Sequence, residues 1–243
     1  MVGLKSNVDL VGAQASRGVC ILGMHRSGTS CLAGSLEEAG LYLGEVFRVG
    51  RHNAKGNREN GRIMALQEAV LVDGGGSWNR PPKQVGWTDS HRAERDAIIR
   101  SYGDVRLWGF KDPRTLILVD FWREAIPDLM LVATLRHPRF VAESLHRRGG
   151  GSIDDWLDLW ATYNERLLAL HQASPFPIVR FDLGEQGYCR SLALAMAKLN
   201  LVAPTRMAFF DPILRHHETL PPDPLPERIS RLYDALCSIA VDG

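Results

Sequence analysis

No apolar stretch in the 243 residues approaches the ~20 that a membrane-spanning helix requires. The N-terminus also lacks the basic-then-apolar plan of a signal peptide, so the expectation is a cytoplasmic protein without a membrane span. Cysteine is scarce. Cys20, Cys31, Cys189 and Cys237 show no paired metal-ligand spacing and no disulfide density, which predicts neither a metal site nor a disulfide framework. Excess charge is missing as well: Lys plus Arg number 29 and Asp plus Glu 28, for a net charge of +1. That balance argues against a nucleic-acid surface built on bulk charge, yet a pocket needing only a few placed cations remains open. No internal repeat is visible. With 45% hydrophobic residues, the chain can fill one large α/β core. We read residues 1–17 as a loose lead-in and 18–243 as a single domain.

What is present is concentrated in one stretch, Gly18-Val-Cys-Ile-Leu-Gly-Met-His-Arg-Ser-Gly-Thr-Ser-Cys31. Residues 19–22 have the apolar, β-branched character of a buried strand, and 29–39 read as a helix closed by Gly40. Between them lies a strand–loop–helix junction, where backbone N–H groups and the helix macrodipole can hold a phosphate. Gly23-x-x-x-x-Gly28 has the glycine spacing of a nucleotide P-loop, but Thr29 stands where that motif requires lysine. Ser30 keeps the Ser/Thr place, and the cation has moved into the loop as Arg26. Loss of the lysine disfavours ATP or GTP hydrolysis.

Further along, 105–110 reads as a strand delivering Lys111-Asp112-Pro113-Arg114 at its end, the edge where ligands bind in open α/β sheets. Residues 129–135 form the most apolar strand, as buried parallel strands are. It runs into Arg136-His-Pro-Arg, with Pro138 in the first helical turn and Ser144 eight residues beyond Arg136. Helices are expected over 63–71, 90–102, 115–125, 153–171, 191–199 and 229–239, and a short strand over 177–181. Trp156, Leu159, Trp160, Tyr163, Leu167 and Leu170 share a stripe of the long helix and read as core. Residues 41–61 are either a substrate-facing segment or a solvated connection. Residues 74–82, which carry Trp78, are either a flap or a surface loop. The stretch 221–226 reads as an extended connector.

Together, the loop at 23–31, Trp108-Gly-Phe-Lys-Asp-Pro-Arg114, Leu135-Arg-His-Pro138 through Ser144, and Trp160-x-x-Tyr-Asn164 resemble the sulfotransferase superfamily that uses 3′-phosphoadenosine 5′-phosphosulfate (PAPS). The likeness spans roughly residues 18–185 and points to the bacterial branch opening with Gly-Met-His-Arg-Ser-Gly-Thr-Ser. It implies a three-layer α/β sandwich with a central parallel sheet flanked by helices, the P-loop NTPase-like sulfotransferase fold. It also implies metal-free, in-line transfer of a sulfuryl group from PAPS, leaving the product PAP, to a hydroxyl or amine of a small molecule or glycan.

Carried over residue by residue, His25, Arg26, Ser27, Gly28, Thr29 and Ser30 hold the 5′-phosphosulfate. Arg136 and Ser144 grip the 3′-phosphate, and Phe181 lies near the adenine. Glu59, in Lys55-Gly-x-x-Glu-Asn60, is the first candidate for the base, with His52 and Asp112 as runners-up. Arg26 and Lys111 would stabilise the transferring charge. Two departures stand out: Cys31 replaces the adenine-stacking tryptophan of cytosolic members, and their C-terminal Arg-Lys-Gly signature is missing. A kinase with a degenerate P-loop and a non-catalytic PAP-binding module are the alternatives. Trp78 and Trp87 are candidates to stack on an acceptor ring.

Overall fold

Side chains alternate along strand β1 (Arg17–Leu22), and the two sets enter different cores. Cys20 and Leu22 face one apolar cluster and Val19 and Ile21 the other, the period-2 pattern of a strand buried on both faces. In the computed structural model, which describes residues 16–49, 55–211 and 224–241, β1 is central. It pairs in parallel with β2 (Leu107–Lys111) and with β3 (Met130–Leu135), and β3 pairs with β4 (Ile178–Arg180). The strand order is β2-β1-β3-β4. Chain direction across the sheet therefore reverses beside β1, the switch point at which such sheets open a crevice for ligands.

Helices α1 (Thr29–Glu38) and α7 (Glu185–Lys198) cover one face. The other face carries α2 (Gly61–Asp73), α3 (Asp89–Ser101), α4 (Thr115–Arg123), α5 (Pro138–Gly149), α6 (Ile153–Ala173) and α8 (Glu227–Ile239). This is the expected three-layer sandwich. Sheet edges are capped by single residues: Gly109 N–H donates to the Tyr42 carbonyl at 2.9 Å beside β2, and Val241 N–H to the Ile178 carbonyl at 2.9 Å beside β4.

Differences from the expected boundaries have local causes. Arg17, read from sequence as part of the lead-in, belongs to β1 and donates its N–H to the Arg106 carbonyl at 3.0 Å. Helix α7 begins six residues earlier than periodicity suggested. Its first turns contain Gly187 and polar residues that mask the pattern, yet Tyr188 there is fully buried. On α6 the stripe is core except at its two ends, where Trp156 and Leu170 are only partly buried. His52, most of the lead-in and the first part of the proline-rich connector lie outside the described residues.

Candidate active site

The loop from Gly23 to Gly28 is fixed from three sides. Gly23 has φ +139°, and a Cβ there would come within 2.9 Å of the Thr134 carbonyl and of Thr29 Cγ2. Thr134, on β3, donates its hydroxyl to the Ser27 carbonyl at 2.9 Å. Gly28 caps α1 in the left-handed region at φ +90°, and its missing Cβ admits the Phe181 ring, which would otherwise lie 2.3 Å away. No side chain caps α1. Its first-turn N–H groups therefore retain their capacity to bind an anion. Ser27 and Thr29 are buried in this turn.

Around the loop stand arginines. Arg26, itself at φ +68°, donates Nε to Ser144 Oγ at 2.9 Å. Arg136 donates to the Arg26 carbonyl at 3.0 Å and lies over the Phe181 and Phe140 rings at 5.3 and 5.6 Å. Burial first, then the nearby charges of Arg148, Arg136 and Arg147, push the Arg26 guanidinium down to about 10. A cation held among cations is relieved by a bound anion. The structure thus brings Arg26, Arg136 and Ser144 into one constellation, with Phe181 against the loop glycine. Asp182 steadies it: its carboxylate accepts the His137 backbone N–H and lies 3.6 Å from Arg136 Nε. Trp160 Nε1 donates to the Arg136 carbonyl at 3.1 Å.

Across the crevice, Lys111 at the end of β2 is a hub. It is buried, ion-paired with Glu59, and donates to the Asn57 carbonyl at 3.1 Å and to Ser30 Oγ at 3.5 Å. Glu59 Oε2 accepts from the Asn57 side-chain amide at 2.7 Å. Lys111 thereby ties the loop after α1 to the phosphate loop. Asp112 next to it is fully buried; Arg114 donates its backbone N–H and its guanidinium to the two carboxylate oxygens, both at 2.8 Å. Burial nonetheless outweighs Arg114 and pushes the Asp112 carboxyl up to about 6. Arg114 also holds Glu68 at 2.9 Å.

His25, expected with the cofactor residues, lies against an aromatic wall. Its ring lies 4.4 Å from Trp78 and 6.2 Å from Tyr163. Trp78 stacks in parallel on Trp156 at 6.2 Å, and the Tyr163 hydroxyl donates to the Trp78 carbonyl at 2.7 Å. The segment around Trp78 is therefore anchored to α6 beside the crevice. Trp87 has a structural place: its indole donates to Glu124 at 2.7 Å and packs on Phe121 at 5.3 Å. Reasoning from sequence missed Asp182, Asn57, Arg147 and Arg148. The two arginines do carry a signal, the basic run His146-Arg-Arg148 ending α5.

A parallel α/β sheet with a glycine loop feeding a helix at its switch point defines a phosphate-binding α/β architecture. Within that class, the sulfotransferase domain of the Synechococcus PCC 7002 olefin synthase superposes with a TM-score of 0.56 at 19% identity, over 92% of this chain and 96% of that one. The sulfotransferase STF1 of Mycobacterium tuberculosis H37Rv aligns more loosely: TM-score 0.43, 12% identity, 90% of this chain and 71% of that one. The first superposition establishes that the chain has the sulfotransferase fold. No family model matches the sequence, and no curated protein does.

Proposed function

We propose that the protein transfers the sulfuryl group of PAPS to a hydroxyl or amine of a small-molecule or glycan acceptor. The observation that carries this reading is the arginine constellation on a glycine loop: Arg26 bonded to Ser144, and Arg136 bonded to the Arg26 carbonyl. Two phosphate groups and a sulfuryl group need several cations at close range, and these residues fit them. Arg26, Ser27, Gly28, Thr29 and Ser30 would hold the 5′-phosphosulfate. Arg136 and Ser144 would hold the 3′-phosphate, with Phe181 beside the adenine. Arg26 and the loop N–H groups would stabilise charge developing on the leaving phosphate oxygen. Lys111, ion-paired with Glu59, faces Ser30 at the start of α1 and would stabilise the group in transit. PAPS supplies an activated sulfuryl group, so the protein's contribution is positioning and charge stabilisation, by analogy with phosphoryl transfer.

Thermal-shift titration tests the donor choice. PAP should stabilise the protein without magnesium, and more strongly than Mg-ATP does. Equal or greater stabilisation by Mg-ATP overturns the reading in favour of a kinase. An acceptor screen with ³⁵S-labelled PAPS then finds the acceptor; PAP binding with no transfer to any acceptor would leave a binding module.

A further inference from the structure

Each carboxylate beside the crevice already holds a cation. Glu59 is engaged by Lys111 on one oxygen and by Asn57 on the other. Asp112 receives Arg114 on both. His25 differs. Its Nε2 is buried and has no hydrogen-bond partner, a condition that calls for an explanation, a catalytic role among them. The residue directly precedes Arg26, so the backbone sets it beside the loop proposed to hold the 5′-phosphosulfate. Its ring is clamped by Trp78 and Tyr163, and Tyr163 also fixes the Trp78 backbone. We propose that His25 is the base that takes the acceptor's proton, and that Glu59 is a positioning residue that holds Lys111. This rests on the sulfuryl-transfer reading above.

In the step, the acceptor O–H gives its proton to His25 Nε2 while its oxygen bonds to sulfur. The bond from sulfur to the 5′-phosphate oxygen breaks, and its electron pair stays on that oxygen. The imidazolium then releases the proton to solvent. A base must be unprotonated before it acts. The charged groups that act on His25 are Arg114 and Lys111 from the end of β2 and the turn after it, Arg26 from its own loop and Arg148 from α5. Burial first, then these four cations, hold its ring well below the ordinary histidine range. This environment favours the neutral ring in the ligand-free protein. An anion bound on Arg26 offsets part of the positive field, so ligand binding should raise the basicity of His25 where it is needed.

The test uses the full chain. Long-range ¹H–¹⁵N spectra, with His25 assigned by the signal lost in His25→Gln, should show a neutral ring whose titration midpoint rises when PAP is added. Single-turnover release of ³⁵S-sulfate from PAPS, with water as the acceptor, should fall by about 10²–10⁴-fold in His25→Gln and lose its acidic limb. PAP affinity should hold, and added imidazole should restore part of the rate in His25→Ala, an effect no structural role would produce. Glu59→Gln combined with Lys111→Met should keep the acidic limb. A midpoint indifferent to PAP, or an acidic limb retained in His25→Gln and lost in the Glu59 variant, overturns the proposal and returns the base to Glu59. Failure of the wild-type chain to bind PAP would overturn the sulfotransferase reading itself, and this one with it.

Discussion

On the loop side of the crevice, burial first, and then the charges of Arg148, Arg136 and Arg147, depress the Arg26 guanidinium. Across it, Lys111 is paired with Glu59, and Arg114 with Asp112 and Glu68. Four arginines gather on one side, where the ion pairs are loose, Arg136 with Asp182 at 3.6 Å and Arg147 with Glu143 at 3.9 Å; on the other side the pairs are close, Arg114 with Glu68 at 2.9 Å and with Asp112 at 2.8 Å. The cost of crowding like charges is tolerated where a ligand brings the compensating charge, and is removed where the protein must be stable alone. The two halves should therefore answer differently to substitution.

The largest effect is expected on the paired side. Glu59→Gln leaves Lys111 as a buried cation without a carboxylate, and breaking such a pair costs about 3–5 kcal/mol. Chemical denaturation should show that loss, and Lys111→Met in the same chain should recover most of it. An exposed-type cost below about 1 kcal/mol would mean that the pair is solvated. Next comes Arg26→Ala. Removing one preorganised donor at developing charge should lower kcat by about 10²–10³-fold. The thermal midpoint of the ligand-free protein should hardly move, since like-charge repulsion disappears together with the bond to Ser144. A large drop in midpoint would erase the distinction between the halves.

Arg136→Ala should weaken PAP by roughly 1.5–3 kcal/mol, the worth of a charge-assisted bond. With 5′-AMP, which lacks the 3′-phosphate, only the share due to its bond with the Arg26 carbonyl should remain. Equal losses for both ligands, measured by calorimetry, would make Arg136 a loop support alone. The smallest effect belongs to Thr134→Val, which removes the hydroxyl bonded to the Ser27 carbonyl. About 1 kcal/mol of stability should go. PAP affinity should fall by a similar factor, because the loop loses one of its anchors.

The loop half was the more legible in the sequence, for a physical reason. Gly23, Gly28, Arg26 and Ser30 are close in sequence, and the spacing from Arg136 to Ser144 lies within one strand–helix junction. Local geometry then fixes who meets whom. Lys111 and Glu59 are 52 residues apart, and their pairing depends on how the loop after α1 folds back, which no periodicity encodes. The wall formed by Trp78, Trp156 and His25 joins three separate segments and was invisible for the same reason. Trp160 looked like plain core because it is core; its indole N–H to the Arg136 carbonyl adds a second duty that burial conceals. Strand and helix types followed from pattern, while the start of α7 was hidden by Gly187.

Tyr42 and Val241, the two residues bonded to the outer strands, have a consequence away from the crevice. A four-stranded parallel sheet has two borders, each able to recruit a strand from another molecule. Here Tyr42 occupies the Gly109 N–H on one border and Val241 the Ile178 carbonyl on the other, and Val241 is itself held by the Ser191 hydroxyl at 2.9 Å. One residue at each border thus acts as a guard against intermolecular strand addition. Replacing Val241 with proline would delete its N–H and expose the short strand β4, so solubility on prolonged incubation, rather than catalysis, should register the change.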